Sequence, residues 1–256
     1  MEPYEQLVAE ALAAPFEGWD FSWLRDRTTG EDLSWSYPDL ARAAVADAAR
    51  LLDIDTGGGE QLAGLRPLPA FTVALEGWAP NLAVARRRLE PLGVEVRQTT
   101  DDGRLPVADG EFDLVLNRHG WLDAAETWRA LAPGGVFLTQ QVGSRNGAEI
   151  NAALGAPPSI DLDAETCDLA VAALRAQGFR VDEAREEMPA YVFGDIGAVV
   201  YQLRAVPWTI DDFDVRTYDV ALRRLDARIR ETGEFVTHDH RYLIRATKPR
   251  AGDSVD

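Results

Sequence analysis

The stretch Leu51-Leu52-Asp53-Ile54-Asp55-Thr56-Gly57-Gly58-Gly59-Glu60 decides the fold class of this 256-residue chain. Its first half has the apolar run of a buried strand, and three consecutive glycines then end the strand in a tight turn. The following residues, 61–65, have the pattern of a helix start. Glycines let a backbone approach a ligand closely, and the start of a helix offers free N–H groups. The stretch therefore predicts a nucleotide-binding turn at the end of a buried strand.

Two common phosphate-binding patterns do not fit this turn. A P-loop needs a lysine after its last glycine, and no lysine follows Gly59. A dinucleotide fingerprint counted from Gly57 needs another glycine where Leu62 stands. Glu60 adds a carboxylate that would repel a pyrophosphate. A nucleoside without phosphate fits better, and S-adenosylmethionine (SAM), with its cationic sulfonium and its amino-acid end, is such a ligand.

Composition limits the function classes that remain. The apolar content of 46% supports a large core, and the net charge of −17 argues against a nucleic-acid surface. Cys167 is the single cysteine, so neither a disulfide framework nor a cysteine-based zinc site is expected. The N-terminal residues lack the features of a signal peptide, and no apolar run is long enough to span a membrane. We therefore expect a cytoplasmic protein with no membrane or nucleic-acid partner.

Acidic and polar residues follow two further apolar runs. Glu76 ends the apolar run that begins at Phe71. Glu76 lies 17 residues after Gly59, and an acidic residue at this spacing commonly binds the hydroxyls of a ribose. Asn117, Arg118 and His119 follow the apolar run 112–116. Polar residues that end a buried strand of such a sheet tend to be functional. His119 is either a proton acceptor or a residue that caps the strand.

An aromatic segment precedes the glycine turn. It contains Trp19, Trp23, Trp35 and Tyr37. Aromatic side chains pack cores, and their faces also attract cations such as a sulfonium and help to exclude water. The segment is therefore either core or a lid over a ligand.

The glycine turn resembles motif I of class I SAM-dependent methyltransferases, which has the form Asp/Glu-x-Gly-x-Gly-x-Gly. Asp53, Gly57 and Gly59 match it, whereas Asp55 stands where the motif has its first glycine. Aspartate tolerates a positive φ better than most residues. Residues 131–135, Leu-Ala-Pro-Gly-Gly, resemble the turn before the fifth strand of that family. The motif resemblance covers residues 51–143, and most of the remaining chain resembles one largely uncharacterised bacterial family of such enzymes.

The resemblance implies an α/β fold with a doubly wound, seven-stranded, mostly parallel Rossmann-like sheet. It implies an N-terminal helical and aromatic lid segment at 1–40, and a methyltransferase domain at 41–250 with a helical insertion or cap at 188–236, between strands six and seven. The seventh strand, at 242–247, is expected to run antiparallel beside the sixth. We also expect helices at 2–14, 163–177, 196–206 and 215–231.

The resemblance also implies the positions of the ligands. SAM, which becomes S-adenosyl-L-homocysteine, is expected to contact the residues at the strand ends: Asp53, Asp55, Thr56, Gly57, Gly59, Glu76, Gly77, Asp101, Asp102, Asn117 and Arg118. Among them, Glu76 would bind the ribose and Asp101 the adenine. His119 is the candidate catalytic base. The candidates for the substrate pocket are Trp23, Tyr37, Gln140, Gln141 and Trp208.

The resulting hypothesis is a methyltransferase that acts on a nucleophilic O, N, S or C atom of a small molecule, as a monomer or a homodimer. Two alternatives remain open. One is an RNA or protein methyltransferase, which the acidic charge disfavours. The other is a SAM-fold binding protein without transfer activity, which Asp55 keeps open. His238 and His240 share one side of a strand if the strand continues through both, but no third metal ligand is evident, so we expect no metal.

Overall fold

The computed structural model describes residues 3–16, 20–99 and 103–252, which form two compact units. The described residues of the seven-stranded unit lie within 34–142, 166–186 and 241–256. The described residues of the helical unit lie within 1–33, 143–165 and 187–240. The helical unit thus includes 143–165, a segment that the sequence had not assigned to a lid or a cap.

The helices of the described residues are α1 (Pro3–Ala13), α2 (Tyr37–Asp47), α3 (Glu60–Gly64), α4 (Ala79–Leu89), α5 (Ala124–Ala130), α6 (Ala148–Leu154), α7 (Cys167–Gln177), α8 (Ile196–Ala205) and α9 (Asp219–Thr232). The strands are β1 (Thr28–Gly30), β2 (Arg50–Ile54), β3 (Phe71–Glu76), β4 (Glu95–Gln98), β5 (Phe112–Arg118), β6 (Leu131–Val142), β7 (Arg180–Glu187), β8 (Ala190–Phe193), β9 (Phe235–His238) and β10 (Arg241–Thr247). Short 3-10 turns lie at Ser22–Leu24, Glu90–Leu92 and Pro207–Thr209.

The large sheet has the predicted topology. Its strand order is β4-β3-β2-β5-β6-β10-β7. The pairs β3–β4, β2–β3, β2–β5 and β5–β6 are parallel, and β10 runs antiparallel to β6. The doubly wound, mostly parallel fold class is therefore confirmed. The chain leaves β2 toward β3 on one side and reaches β5 on the other, and a sheet of this kind binds its ligand where the strand order reverses.

The predicted turn at residues 131–135 is part of a strand. β6 begins at Leu131, which pairs with Phe112, and the pairing resumes at Val136 opposite Leu114. The intervening Pro133-Gly134-Gly135 is a bulge, in which Gly134 has a φ of 86°. A bulge keeps the chain in the sheet while it bends the strand, so the expected strand start at Val136 was too late.

The helical unit has its own apolar core and a small sheet. α8 is buried along most of its length, and the Asp195 side chain caps its start by accepting a hydrogen bond from the N–H of Ala198 at 2.8 Å. The sheet has the order β1-β8-β9 and is antiparallel. The sequence did not predict this sheet because its strands are short and β1 is mostly polar. No helix of the described residues is long and apolar enough to cross a membrane.

The idea that His238 and His240 share a strand face is wrong. β9 ends at His238, and His240 lies in the connection to β10. The His238 imidazole pairs with the Glu149 carboxylate at 2.7 Å, whereas the His240 ring is buried against the backbone of Gly143. Within residues 3–16, 20–99 and 103–252, no group of three or more His, Cys, Asp or Glu side chains could hold a metal.

Candidate functional site

The glycine turn after β2 forms a tight cradle. The Thr56 N–H donates to the Leu75 carbonyl at 2.9 Å, and the Gly59 N–H donates to the Thr56 carbonyl at 3.0 Å. Gly57 and Gly59 have φ values of 62° and 80°. A Cβ at Gly59 would lie 2.7 Å from the Leu89 side chain, so this position needs glycine both for its backbone and for its space. The turn therefore leads directly from the end of β2 into α3, with Gly59 as the residue before the helix.

Glu60 does not act as a free charge beside the turn. Its carboxylate pairs with the guanidinium of Arg88, which also donates to the carbonyl of Gly58. The charge that the sequence analysis counted against a phosphate ligand is therefore compensated. The missing lysine and the leucine at position 62 still argue against the phosphate-binding patterns.

Asp55 adopts the conformation that the motif glycine would have. Its φ is 56°, as its tolerance of positive φ predicted. Its carboxylate accepts a hydrogen bond from the Trp121 N–H at 2.9 Å, and burial raises the pKa of that carboxyl. A Cβ at Gly120 would lie only 2.5 Å from the Asp55 Cβ. Asp55 therefore joins the turn after β2 to the turn after β5.

Two further carboxyl groups are buried at the strand ends. Burial raises the pKa of Asp53 to about 7, and the charge of Asp55 adds to this rise. Glu76 is also buried, and burial raises the pKa of its carboxyl. The Glu76 carboxylate accepts a hydrogen bond from the Trp78 N–H at 2.7 Å, and bonds from Gly57 and Asn81 also favour its charged form. Acidic groups held in this way are suited to bind hydroxyl or ammonium donors.

Gly77 allows the end of β4 to come close to the end of β3. A Cβ at Gly77 would lie 2.6 Å from the Thr99 hydroxyl oxygen. The Thr99 N–H donates to the Glu76 carbonyl at 3.2 Å. Asp101 and Asp102, the predicted adenine contacts, lie outside the described residues.

Strand register divides the polar residues at the ends of β5, β6 and β10 between two faces of the sheet. Asn117 pairs with Thr139, so Asn117, Thr139 and Gln141 share what we call the Asn117 face. The other side is the Arg118 face. Register places Asp53, Arg118, Gln140 and Arg241 on it, because Asp53 pairs with Leu116, Gln140 pairs with both Arg118 and Leu243, and Arg241 pairs with Val142.

The Asn117 face is a closed hydrogen-bond network. The Asn117 amide oxygen accepts from the Gln141 side chain at 2.7 Å and from the Gly120 N–H at 3.2 Å. Its amide nitrogen donates to the Trp121 carbonyl at 2.9 Å, and Gln141 also donates to the Thr139 hydroxyl at 2.8 Å. These bonds commit the side chains of Asn117 and Gln141 to shaping the turn that carries His119.

On the Arg118 face, a chain of hydrogen bonds fixes the state of His119. The Trp35 indole N–H donates to the Gln140 amide oxygen at 2.8 Å. Because an indole can only donate, the Gln140 amide nitrogen is turned toward His119, whose Nε2 lies 3.0 Å away. Nε2 must then be the acceptor, which leaves the proton of the neutral imidazole on Nδ1.

The surroundings of His119 are positively charged. The residue keeps an exposed edge, yet partial burial and the charges of Arg118 and Arg241 lower the pKa of its imidazole. Burial also lowers the pKa of Arg118, and its Nε is buried without a hydrogen-bond partner among the described residues. His119 is therefore neutral at neutral pH, and Arg118 has donor capacity to spare.

The remaining predicted substrate residues lie in two places. Tyr37 is buried in the seven-stranded unit, where its hydroxyl is influenced by both Asp53 and Arg118. Trp23 and Trp208 belong to the helical unit. Trp23 stacks on Tyr201 with ring centroids 4.8 Å apart, and Trp208 is exposed.

Three residues were not among the predicted site residues: Trp35, which was named only as part of the aromatic segment, Trp121 and Arg241. Trp35 could have been predicted, because a buried indole N–H needs an acceptor and the polar side chains at the strand ends are the available acceptors. The position of Arg241 depends on the antiparallel insertion of β10, and that of Trp121 on the positive φ of His119, 60°.

Comparison with known proteins identifies a family model. Residues 52–139 match the model of a methyltransferase domain. The chain is 37% identical over 116 residues to a demethylmenaquinone methyltransferase of Thermus thermophilus, a match that covers 41% of this chain and 53% of the relative. It is 32% identical over 114 residues to a protein-L-isoaspartate O-methyltransferase of Methylibium petroleiphilum, covering 43% and 42%. The chain thus spans about half the length of these relatives.

Solved structures share the fold at low sequence identity. A structure described as a methyltransferase from Bacillus halodurans superposes with a TM-score of 0.58 and 18% identity, covering 84% of this chain and 99% of the other. The [4+2]-cyclase SpnF superposes with a TM-score of 0.54 and 18% identity, covering 95% and 93%. At such identities the similarity establishes the architecture only.

Proposed function

We propose that this chain, whose residues 52–139 match the model of a methyltransferase domain, transfers a methyl group from SAM to a nucleophilic O, N, S or C atom of a small molecule. The observation that carries the proposal is the grouping of Asp53, the glycine turn and Glu76 at the point where the strand order reverses. That grouping suits a nucleoside that carries a cationic sulfonium and an amino-acid end.

The residues present fit this cofactor. Gly57 and Gly59 have positive φ values of 62° and 80°, so the turn at the end of β2 presents backbone without side chains at these two positions. Glu76, buried and held by the Trp78 N–H, is suited to accept hydrogen bonds from two ribose hydroxyls. Asp53 and Asp55 place carboxyl groups near the turn, where the amino-acid end would bind.

When bound, SAM would supply a methyl group already activated by its sulfonium, and the electron pair of the carbon–sulfur bond would remain on sulfur when the acceptor atom takes the methyl group. The chain contributes alignment and exclusion of water. Alignment of two reactants can contribute about 7–11 kcal/mol to such a reaction. The buried strand ends, whose turns are fixed by the Asp55–Trp121 and Glu76–Trp78 bonds, provide a rigid frame for that alignment.

The relatives favour a small acceptor. The Thermus relative is described as acting on demethylmenaquinone, and a further relative from Desulfotalea psychrophila, 34% identical over 119 residues, as a C-methyltransferase of quinone biosynthesis. The isoaspartate methyltransferase keeps a protein acceptor as an alternative. The net charge of −17 weighs against an RNA acceptor.

Calorimetric titration with SAM and with S-adenosylhomocysteine tests the cofactor. We expect micromolar binding, and replacement of Glu76 by alanine should weaken it by about 1–3 kcal/mol, the range for losing hydrogen bonds to a charged acceptor. Glu95→Ala is the matched control, because Glu95 begins β4, at the amino end of the strand next to β3, and pairs with Arg97. Equal binding by wild type and the folded Glu76 variant would refute the assigned role of Glu76.

Transfer is tested separately from binding. Incubation with methyl-labelled SAM and a panel of phenols, carboxylic acids, amines and thiols should label a small product. Binding of SAM with no labelled product from that panel, from peptides or from RNA would favour a binding protein without transfer activity. Labelling of peptide or RNA alone would move the function to the macromolecular alternative.

A further inference from the structure

Hydrogen-bond donors gather at the end of β5, and the Nε of one of them, Arg118, is buried without an acceptor among the described residues. Arg118 is the last residue of β5, and Arg241 lies on the same face of the sheet by register. None of the described carboxylates forms an ion pair with Arg118, although the chain has 43 acidic residues. The buried Nε of Arg118 has no hydrogen-bond partner among the described residues.

His119 adds a neutral donor to this group. Its Nε2 accepts the hydrogen bond from Gln140, whose orientation is set by Trp35. Protonation of Nε2 would place two donors face to face, so the hydrogen-bond chain keeps the ring neutral with its proton on Nδ1. For the same reason, Nε2 is occupied and is poorly placed to remove a proton from a substrate. His119 is therefore better suited to donate a hydrogen bond than to act as the base that the sequence suggested.

A partly buried guanidinium without an anionic partner costs free energy, because its hydration is reduced and nothing replaces it. The structure does not relieve that cost with a carboxylate of the described residues. An anionic ligand would relieve it, since a guanidinium binds planar anions through two parallel hydrogen bonds. The end of β5 thus has the chemistry of an anion site.

We propose that Arg118, Arg241 and the Nδ1–H of His119 bind an anionic oxygen of the methyl acceptor, so that the acceptor is a carboxylate or a phenolate rather than a neutral molecule. This inference rests on the proposed function for the identity of the ligand as an acceptor. It differs from the sequence-based expectation, which placed Arg118 at the cofactor. The carboxylate of SAM has the same chemistry, so the experiment must separate the two sources.

Titration of the protein, saturated with S-adenosylhomocysteine, with benzoate and with benzamide tests the proposal. The two probes have similar shape and differ in charge. We expect millimolar binding of benzoate, a change in the NMR signal of the His119 ring, and binding of benzamide at least about tenfold weaker. Arg118→Gln should weaken benzoate by about 10- to 100-fold, the range for one charged hydrogen-bonding group.

Two further variants and the cofactor titration complete the test. Arg241→Gln serves as a second probe of the site if Arg118→Gln fails to fold, and Arg97→Gln is the control, because Arg97 is paired with Glu95 on β4. Equal binding of benzoate and benzamide, no benzoate binding, or unchanged benzoate binding in folded Arg118→Gln would overturn the proposal. So would competition of benzoate with SAM, or a loss of SAM affinity in Arg118→Gln, because the arginine would then serve the cofactor. If the wild type binds neither SAM nor its product, the proposed function fails, and the benzoate titration of the protein alone still decides whether the anion site exists.

Discussion

The two faces of the sheet at the ends of β5, β6 and β10 treat their polar groups in opposite ways. On the Asn117 face, the amides of Asn117 and Gln141 are satisfied by each other, by Thr139 and by the following turn. On the Arg118 face, the Nε of Arg118 has no partner among the described residues, and buried Asp53 has a raised pKa. Consecutive residues of these strands point to opposite faces, so Asn117 lies in the satisfied network while the next residue, Arg118, does not.

This difference separates residues that build the site from residues that await a ligand. A satisfied buried network stabilises one conformation of the turn, whereas an unsatisfied charged group is retained at a cost in stability. Asn117 and Gln141, predicted at the cofactor and the substrate, are therefore best explained as supports for the turn, while Arg118 is available for binding.

The largest effect is expected on the Asn117 face. Asn117→Ala removes bonds to Gly120, Trp121 and Gln141 and leaves their polar groups unsatisfied, so the free energy of unfolding should fall by about 3 kcal/mol. Urea unfolding measures this loss, and Gln98→Ala, at the exposed end of β4, should change stability by less than about 0.5 kcal/mol. A loss no larger than that of the control would show that the network is not structural.

A pH-dependent effect of intermediate size is expected on the Arg118 face. The folded-state pKa of Asp53 is raised from 3.8 to about 7, so its contribution to stability is present in acid and is lost as the pH rises through about 7. The folded-state pKa of His119 is lowered, so its contribution is present above its unfolded pKa and is lost as the pH falls. Between pH 7.5 and pH 5 the two contributions oppose each other.

Single substitutions should separate these contributions. On acidification from pH 7.5 to 5, Asp53→Asn should lose about 2 kcal/mol more stability than the wild type, because it lacks the gain from protonation of Asp53. On the same acidification, His119→Gln should lose less stability than the wild type, because it lacks the loss that comes from the lowered pKa of His119. Urea unfolding at both pH values measures the changes, and parallel pH profiles of all three proteins would contradict the assignment.

The smallest effect is expected for the charge on the Arg118 face. Arg118→Gln removes a cation with a buried, unpartnered Nε, so stability should stay the same or rise by up to about 1 kcal/mol. Arg129→Gln is the contrasting control, because Arg129 binds Glu126, Asp109 and nearby carbonyls and its loss should destabilise by about 2 kcal/mol. A similar destabilisation by both variants would show that Arg118 is a structural residue.

Local sequence patterns correctly predicted the strands of the large sheet and the backbone conformation of the glycine turn. The positions of the parallel strands followed from apolar runs that end in glycine or polar residues, and the positive φ of Asp55 followed from its side chain. The position of β10 beside β7, the predicted sixth strand, was also predicted and is confirmed by the strand order. These features depend on a few adjacent residues or, for β10, on the family resemblance.

Contacts between distant parts of the chain could not be predicted in this way. The tautomer of His119 depends on Trp35 through Gln140, and no local pattern links the three. Gln140 and Gln141 were both predicted to contact the substrate, but successive side chains of a strand point to opposite faces, so the two lie on different sides of the sheet. The small sheet of the helical unit pairs strands from three separate segments, whose short length leaves little periodicity to detect.

The contact between Asp55 and Gly120 has a consequence for how such chains vary. The Asp55 side chain occupies the space into which a Cβ at position 120 would project, at 2.5 Å. A chain with glycine at position 55 has room for a side chain at 120, whereas aspartate at 55 requires glycine at 120. The two positions should therefore covary among relatives: a chain with aspartate at position 55 should have glycine at position 120, in the loop after β5. A search that requires glycine at position 55 would overlook the chains in which that exchange has occurred.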